Sequence, residues 1–317
     1  MKIGYFLSCE EWGPRDLVEH AIKAQRAGFE GLWISDHYHP WNDEQGHSPF
    51  VWAVIGVLAH ATEQKVTTAV TCPTVRIHPA VIAQAAATAS VLLEGRFCLG
   101  VGSGEALNEH ILGDRWPDAD ERLEMLEESV EVIRTLWRGG VQDFRGRHYR
   151  VERARVYDLP ETAPPILVSG FGPKAIDLAA RIGDGFVTVG PDAEAVKRFR
   201  SQCSNDRALV QGGLKVCWGQ DEAQARKTAH RLWPNDGLPG ELAQVLPTTQ
   251  HFEQASELVT EEMIAQDTPC GPDIERHAQA IQEYIDAGFD ELYVQQIGPE
   301  PDAFFEAYRE HVLPRFR

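Results

Sequence analysis

Three segments of the chain repeat one joint. Residues 27–37 read AGFEGLWISDH, 182–190 read IGDGFVTVG and 287–298 read AGFDELYVQQIG. In each, a helical pattern stops at a glycine and an apolar run starts within a few residues. Glycine at such a stop suits the left-handed position that ends many helices. A strand that follows a helix that follows a strand returns in the same direction, so a chain built from such joints lays down parallel strands.

Eight runs fit the strand role: KIGYFLS, GLWISDH, KVTTAVTC, RFCLGVGSG, PPILVSG, DGFVTVG, LVQGGLKVCW and ELYVQQIG. Amphipathic stretches separate them, from DLVEHAIKAQRAG near the start, through DEAQARKTAHRLW after the seventh run, to FFEAYREHV near the end. Apolar strands alternating with amphipathic helices mean a parallel sheet covered on its outer face. Eight units predict a closed (β/α)8 TIM barrel, with residues 1–317 as one domain. An open doubly wound sheet is the alternative. Two stretches fall outside the repeat. Residues 141–163 read as a hairpin inserted before the fifth strand. Residues 234–271, after the seventh helix, are long enough to form a lid.

The bulk chemistry narrows the partners. A net charge of −18 repels nucleic acid and anionic membranes. No apolar run approaches the roughly 18 residues of a membrane span. MKIGYFLSCEEW has no cleavage pattern and reads as a first strand, so the expected location is cytoplasmic. The six cysteines contain no C-x-x-C, and several sit inside apolar runs, as buried free thiols do in a reducing compartment.

In a barrel the chemistry collects where the strands end. The second strand ends ISDHYHPW, with Asp36, His37, His39 and Trp41 close together. The H-x-H pattern raises a metal site, but the later strand ends, VSGFG, VTVGP and VQQIG, supply no further ligands. GVGSGE places Ser103 between glycines, yet it is not the G-x-S-x-G of a nucleophile elbow. It is not G-x-G-x-x-G either. Glycine-rich turns at Ser103–Glu105 and Gly170–Gly172, the latter opening the helix PKAIDLAA, suit a flat cofactor with a phosphorylated tail.

SDHYHPW, GHSPF (46–50), CPTVRIHPAVIAQAAAT (72–88), GRFCLGVGSGEALNEH (95–110) and DGF together resemble the luciferase-like flavin and deazaflavin oxidoreductase superfamily. Within it they most resemble the coenzyme F420-dependent glucose-6-phosphate dehydrogenase group. The resemblance implies a barrel, a homodimer, a small-molecule substrate and coenzyme F420, with FMN as the alternative cofactor of an FMN-dependent monooxygenase or reductase. It assigns His37, Trp41 and Glu105 to catalysis. It assigns Asp36, Ala69, Val70, Cys72, Ser103, Gly104 and Asn108 to the cofactor ring; the glycine-rich turn and the helix it opens put Gly170, Phe171, Gly172, Lys174 and Ala175 at its phosphorylated tail. Trp41 and Thr188 would face substrate. In the family, the chain at Ala69–Val70 bulges through a non-prolyl cis peptide. Ser103 and Cys72 stand where the group has threonines.

The resemblance fails where sugar phosphate would bind. Pro191 replaces a lysine, and no lysine or arginine occurs from Leu232 to Glu275. An unpaired phosphate beside acidic residues is costly. The expected substrate is therefore an uncharged alcohol or carbonyl compound rather than glucose 6-phosphate. Trp233, Leu238, Leu242, Leu246 and Phe252 either wall an apolar pocket or simply pack the insertion. A binding barrel without turnover is a further alternative, against which the trio His37, Trp41 and Glu105 argues.

Overall fold

The computed structural model describes residues 1–317. Eight parallel strands form its centre: Lys2–Leu7, Gly31–Ile34, Lys65–Thr68, Phe97–Val101, Ile166–Ser169, Gly185–Val189, Leu209–Val216 and Glu291–Gln296. Their order around the sheet is their order along the chain. The last pairs with the first, Lys2 opposite Glu291 and Tyr5 opposite Val294. The sheet is closed, so the expected (β/α)8 barrel is the fold and no strand edge is left open.

Apolar packing explains the closure. The strands carry one face toward the helices, where the main core lies, and the other toward the barrel axis. The axis is filled by a small cluster of Trp33, Cys98, Leu167, Val187 and Tyr293. Trp33 and Tyr293 stack there, with ring centroids 4.8 Å apart. The glycine pair of the seventh strand makes room on both faces. A Cβ on Gly213 would lie 2.7 Å from the Trp33 ring, and one on Gly212 would lie 2.8 Å from Phe289 and Tyr284.

The three joints differ in why they need glycine. Gly28 and Gly288 have φ of +96° and +88°, the expected left-handed helix stop. Gly183 does not: its φ is −86° and ψ 154°. A Cβ there would come within 2.7 Å of the carbonyl oxygens of Ala179 and Gly185, so lack of space replaces handedness as the reason.

The segment before the fifth strand is the expected hairpin, Gln142–Arg145 paired with Arg150–Ala154. Its turn is fastened by Glu128, whose carboxylate accepts the backbone N–H groups of Arg147, His148 and Tyr149 at 2.9, 3.0 and 2.6 Å. Between the seventh and eighth strands there are two long helices. Ile274–Ala287 packs on the seventh strand, whereas Glu222–Leu232 packs on the excursion it opens. The excursion contains the helices Leu242–Val245, Thr249–Ala255 and Glu261–Asp267; Thr248 and Thr260 cap the last two.

The excursion lies across the end of the barrel where the strands finish. Leu232 O accepts from Asn42 Nδ2 at 3.0 Å and Gln45 Nε2 at 2.9 Å. Trp116 Nε1 donates to Gln244 O at 3.1 Å, and Trp233 Nε1 to Glu11 Oε1 at 2.6 Å. These bonds tie it to the loops after the second, fourth and first strands. No helix is long and apolar enough to cross a membrane.

Candidate active site

His37 leaves the second strand with its imidazole turned toward the first. Its Nδ1 lies 3.1 Å from Oε1 of Glu10, a buried carboxylate. The other oxygen, Oε2, accepts the hydroxyls of Ser8 and Ser35 at 2.8 and 2.9 Å. Ser35 in turn accepts Cys9 N–H at 2.9 Å. Oε2 of Glu10 is thus doubly satisfied, while Oε1 faces His37 in a charge contact that is not aligned as a hydrogen bond. With the proton on Nδ1, beside the carboxylate, Nε2 is the acceptor of His37. Trp41 meets the imidazole edge to face at 5.0 Å and is itself met by Phe252 of the excursion at 5.1 Å. His39 diverges from His37, since its Nδ1 lies 3.0 Å from Leu107 O. The two histidines of the H-x-H pattern therefore do not converge on one point.

Asp36 is buried beside Arg76. Its Oδ2 accepts Thr71 Oγ1 at 2.8 Å and its Oδ1 accepts Arg76 Nη2 at 3.0 Å. Arg76 also reaches Glu109: its backbone N–H donates to Oε2 at 2.6 Å and its Nε lies 3.4 Å from Oε1. One guanidinium therefore serves two buried carboxylates. Burial raises the Glu109 carboxyl to about 7, with the Arg76 bonds opposing. Burial, then Glu105 and Glu109, hold the Cys72 thiol well above its ordinary value. Cys72 is thus a neutral thiol, a weaker donor than the threonine hydroxyl it replaces.

The third and fourth strands end in a smooth wall. The peptide between Ala69 and Val70 is cis, as the resemblance implied. The chain then rejoins the sheet, with Thr71 N–H donating to Gly100 O at 2.9 Å and bridging Val101. A side chain at Gly102 would strike Val70, 2.7 Å away. Gly104, with φ of +87°, lets the chain turn so that Glu105 starts the short helix Ala106–Glu109. Ser103 and Glu105 are half-buried at this turn. Asn108 is 1 % exposed; its Oδ1 accepts Tyr38 N–H and His39 N–H at 2.8 and 3.0 Å, yet its Nδ2 has no partner. A buried amide N–H₂ without an acceptor suits a ligand oxygen.

The fifth strand leads into Gly170, Phe171 and Gly172, then the helix Pro173–Ile182. Nothing lies within 4 Å of a Cβ built on Gly172, so the helix start is open. Phe171 is exposed and Ala175 half-buried. Lys174 is exposed and paired with Asp120 at 2.7 Å, so its charge is already answered. Thr188 is buried at the end of the sixth strand. Of the apolar residues of the excursion, Phe252 reaches Trp41. Trp233 and Leu238 join the excursion's own core, and Leu242 is exposed.

Three acids and one base at the site were not singled out from the sequence: Glu10, Glu11, Glu109 and Arg76. SCEEW follows the first strand, and acids at a barrel strand end were the signal available. Glu11 accepts Trp233 Nε1, Gln295 Nε2 at 3.1 Å and Gly298 N–H at 3.0 Å. Burial pushes its carboxyl up to about 7, with those three bonds opposing. Lys215 of the seventh strand lies 3.9 Å over the Trp233 ring and 2.7 Å from Asp236. It too is neutralised inside the excursion.

Comparison with known proteins places these features in context. The luciferase-like monooxygenase family profile matches residues 1–291. An F420-dependent glucose-6-phosphate dehydrogenase of Amycolatopsis mediterranei is 35 % identical over 333 aligned positions, covering 100 % of this chain and 99 % of its own. That of Mycolicibacterium smegmatis is 34 % identical, covering 100 % and 98 %. Among solved structures, an F420-dependent secondary alcohol dehydrogenase in complex with an F420–acetone adduct superposes with a TM-score of 0.93 at 28 % identity, covering 100 % of this chain and 99 % of that one. The coenzyme F420-dependent tetrahydromethanopterin reductase of Methanopyrus kandleri shares the fold, with a TM-score of 0.80 at 21 % identity and 100 % of both chains covered.

Proposed function

Because the chain belongs to the luciferase-like monooxygenase family, we propose that it is a coenzyme F420-dependent oxidoreductase moving hydride between the deazaflavin and an uncharged alcohol or carbonyl compound. The observation that carries the proposal is the His37–Glu10 pair at 3.1 Å, set beside Trp41 at the barrel mouth. The smooth wall of Ala69, Val70, Gly102 and Gly104 and the unpaired Asn108 Nδ2 fit a flat heterocycle with exocyclic oxygens. These residues, with Ser103 and Cys72, would hold the ring. Gly170–Gly172 and the open start of the following helix would hold the phosphate tail, with Lys174 and Ala175 beside it. When bound, coenzyme F420 supplies a two-electron hydride acceptor or donor.

The chain's own residues do the rest. His37 Nε2 takes the hydroxyl proton of the substrate as the carbinol carbon loses hydride, and returns it in the opposite direction. Glu10 orients the ring and offsets the charge that the imidazole gains. Trp41, backed by Phe252, confines the reacting carbon. Glu105 provides the carboxyl at the far end of the cofactor site. Asp36, occupied by Arg76 and Thr71, fixes the ends of the second and third strands. Residues 234–271 act as a lid that excludes water from this mouth.

Substrate charge follows from what surrounds the mouth. Lys215 is paired with Asp236, Arg76 with Asp36 and Glu109, and residues 232–275 hold no lysine or arginine. Arg122, bonded to Pro117 O and Gln244 Oε1 beside Glu105, is the one cation near the mouth without a carboxylate within 4 Å, so a dianionic sugar phosphate would find too few free cations there. An unpaired buried charge costs several kcal/mol, and about 1.4 kcal/mol is a factor of ten in affinity. The test is a substrate panel followed through the deazaflavin absorbance. Neutral secondary alcohols should turn over with a kcat/KM orders of magnitude above that of glucose 6-phosphate. Saturable oxidation of glucose 6-phosphate at micromolar concentration overturns the substrate class. Calorimetry showing tight FMN binding and none of coenzyme F420 overturns the cofactor.

The same chain is proposed to act as a cytoplasmic homodimer. An apolar groove between the helices Val51–Ala61 and Pro79–Leu92 leaves Phe50 59 % and Val81 55 % exposed, which suits an isologous contact with a second copy. Sedimentation of Val81→Glu as a monomer, against a dimer for the unaltered chain, would support it. A monomeric unaltered chain refutes it.

A further inference from the structure

We propose that Cys217 and Cys270 form a thiol-oxidation site, where a small-molecule disulfide joins them into a cross-link across the base of the excursion 218–269. Cys217 directly follows the seventh strand, and Cys270 is where the excursion returns to it. The two residues stand opposite each other in an isolated parallel bridge. Cys217 N–H donates to Pro269 O at 2.8 Å, and Gly271 N–H donates to Cys217 O at 2.9 Å, so the pairing is held on both sides. Opposed residues of a parallel pair present their side chains to the same face. The strand spacing of about 4.8 Å lies within the roughly 4.4–6.8 Å between Cα atoms that a disulfide spans. Gly271, with φ of +88°, turns the chain immediately afterwards and keeps Cys270 in place. Both thiols are reduced, and both belong to one small apolar cluster with Trp233 and Ile297. No other two of the six cysteines face each other across a bridge.

The surrounding charges order the chemistry. Arg276 and Arg226 stand beside Cys270 and favour its thiolate, with Glu222 opposing. Cys217 donates its S–H to Ile297 O at 3.4 Å and lies near Glu11 and Glu300, which disfavour its thiolate. Cys270 is therefore the first nucleophile. Its thiolate attacks one sulfur of the reagent, forming a mixed disulfide and expelling one thiolate. Cys217, as thiolate, then attacks the Cys270 sulfur, forming the Cys217–Cys270 bond and expelling the second. Two protein thiols are oxidised, one disulfide is reduced to two thiols, and the two protons end on those thiols.

Burial pushes the Cys270 thiol up to about 11 and Cys217 higher still, so both thiolates are scarce and the exchange is slow, with Cys270 the more readily ionised of the two. The finished bond clamps both ends of the segment that carries Trp233 and Phe252. If that segment is the lid proposed above, turnover falls while the bond is present; the cross-link itself does not depend on that reading.

The test uses the full chain with bis(2-hydroxyethyl) disulfide at pH 8, then N-ethylmaleimide and peptide mass spectrometry. The half-buried Cys203 reports that the reagent has reacted, as a mixed disulfide. The expected result is a peptide pair joined through Cys217 and Cys270, dissolved by dithiothreitol, with a Tm that rises on cross-linking. Cys270→Ser should show neither. Recovery of both cysteines blocked by maleimide, or each in its own mixed disulfide, after Cys203 has fully reacted would overturn the proposal. So would a cross-linked chain whose Tm does not rise. The mapping needs no variant and no activity, so it stands if the serine variant fails to fold or if the proposed reaction is wrong.

Discussion

Glu10→Gln separates charge from shape at the proposed base. The carboxylate lies 3.1 Å from His37 Nδ1 and takes the hydroxyls of Ser8 and Ser35 at 2.8 and 2.9 Å. Glutamine has the same length. Its amide oxygen can face His37 Nδ1–H, and its N–H₂ can face the two serine hydroxyls, which rotate to accept. The serine bonds and the close approach to His37 survive, and the negative charge is lost. That charge matters when Nε2 has taken the substrate proton and the imidazole is cationic. Once the imidazole is cationic the 3.1 Å contact can align into a hydrogen bond between charged groups, which contributes about 1.5–3 kcal/mol. At about 1.36 kcal/mol per tenfold in rate, kcat should fall by roughly 10- to 150-fold. KM should stay nearly constant, because the loss is confined to the transition state. The assay is steady-state oxidation of a neutral secondary alcohol, read by the deazaflavin absorbance, with Tm as a control for folding. A variant that keeps more than half its kcat, or loses only in KM, would show that Glu10 does not assist proton transfer through His37.

Three further outcomes follow from the same geometry. His37→Ala should lower kcat by roughly 10²-fold, the scale of acid–base catalysis, while calorimetry finds the affinity for coenzyme F420 within a few-fold; loss of cofactor binding instead would assign His37 to the cofactor. Arg76→Met leaves Asp36 and Glu109 buried without their cation, and should cost about 3–5 kcal/mol in urea unfolding; a loss below about 1 kcal/mol would contradict the pairing. Burial lowers His20 and His277 from 6.5 to about 4, helped by Lys23 at His20, so above pH 6.5 both states are neutral. Below 6.5 the unfolded chain binds protons that the folded chain refuses, and stability falls toward pH 4. Glu11 and Glu109, raised to about 7, act oppositely: their neutral folded forms favour the fold at low pH and lose that advantage as pH rises from 4.5 to 7. The histidine effect is therefore read as a difference, and the stability gap between His277→Gln and the unaltered chain should narrow by about 1.5 kcal/mol from pH 6.5 to 5. A constant gap in urea titrations would contradict it.

Much of the barrel was legible in local pattern. Strand and helix periods, and the glycines at 28 and 288, depend on neighbours within one turn or one strand, so a linear reading recovers them. The positions of Asp36, His37 and Trp41 at a strand end follow from the same register. The motif GSGEALNE located the fourth-strand turn, though not which acid would be buried: Glu105 remains half-buried and Glu109 takes Arg76. Local pattern also misread Gly183, because a helix stop looks the same whether it is made by a positive φ or by the closeness of two carbonyls. It assigned the helix Glu222–Leu232 to the barrel wall, where Ile274–Ala287 packs instead.

The sequence by itself determined the number and order of the units, the end of the barrel that carries chemistry, and the scarcity of cations around it. Only the tertiary structure decided which charges meet. Glu10 reaches His37 from a different strand, Arg76 bridges Asp36 and Glu109, and Glu11 is matched with Trp233, far along the chain. Lys215 is consumed by Asp236 rather than left for a substrate. The reason is physical. Element formation is governed by short-range periodicity and backbone preference. The partner of a buried charge is governed by desolvation, which forces each buried ion toward whatever complementary group the closed barrel brings within reach. For Glu11, whose partners include Gln295 and Gly298, that proximity exists only once the eighth strand has paired with the first.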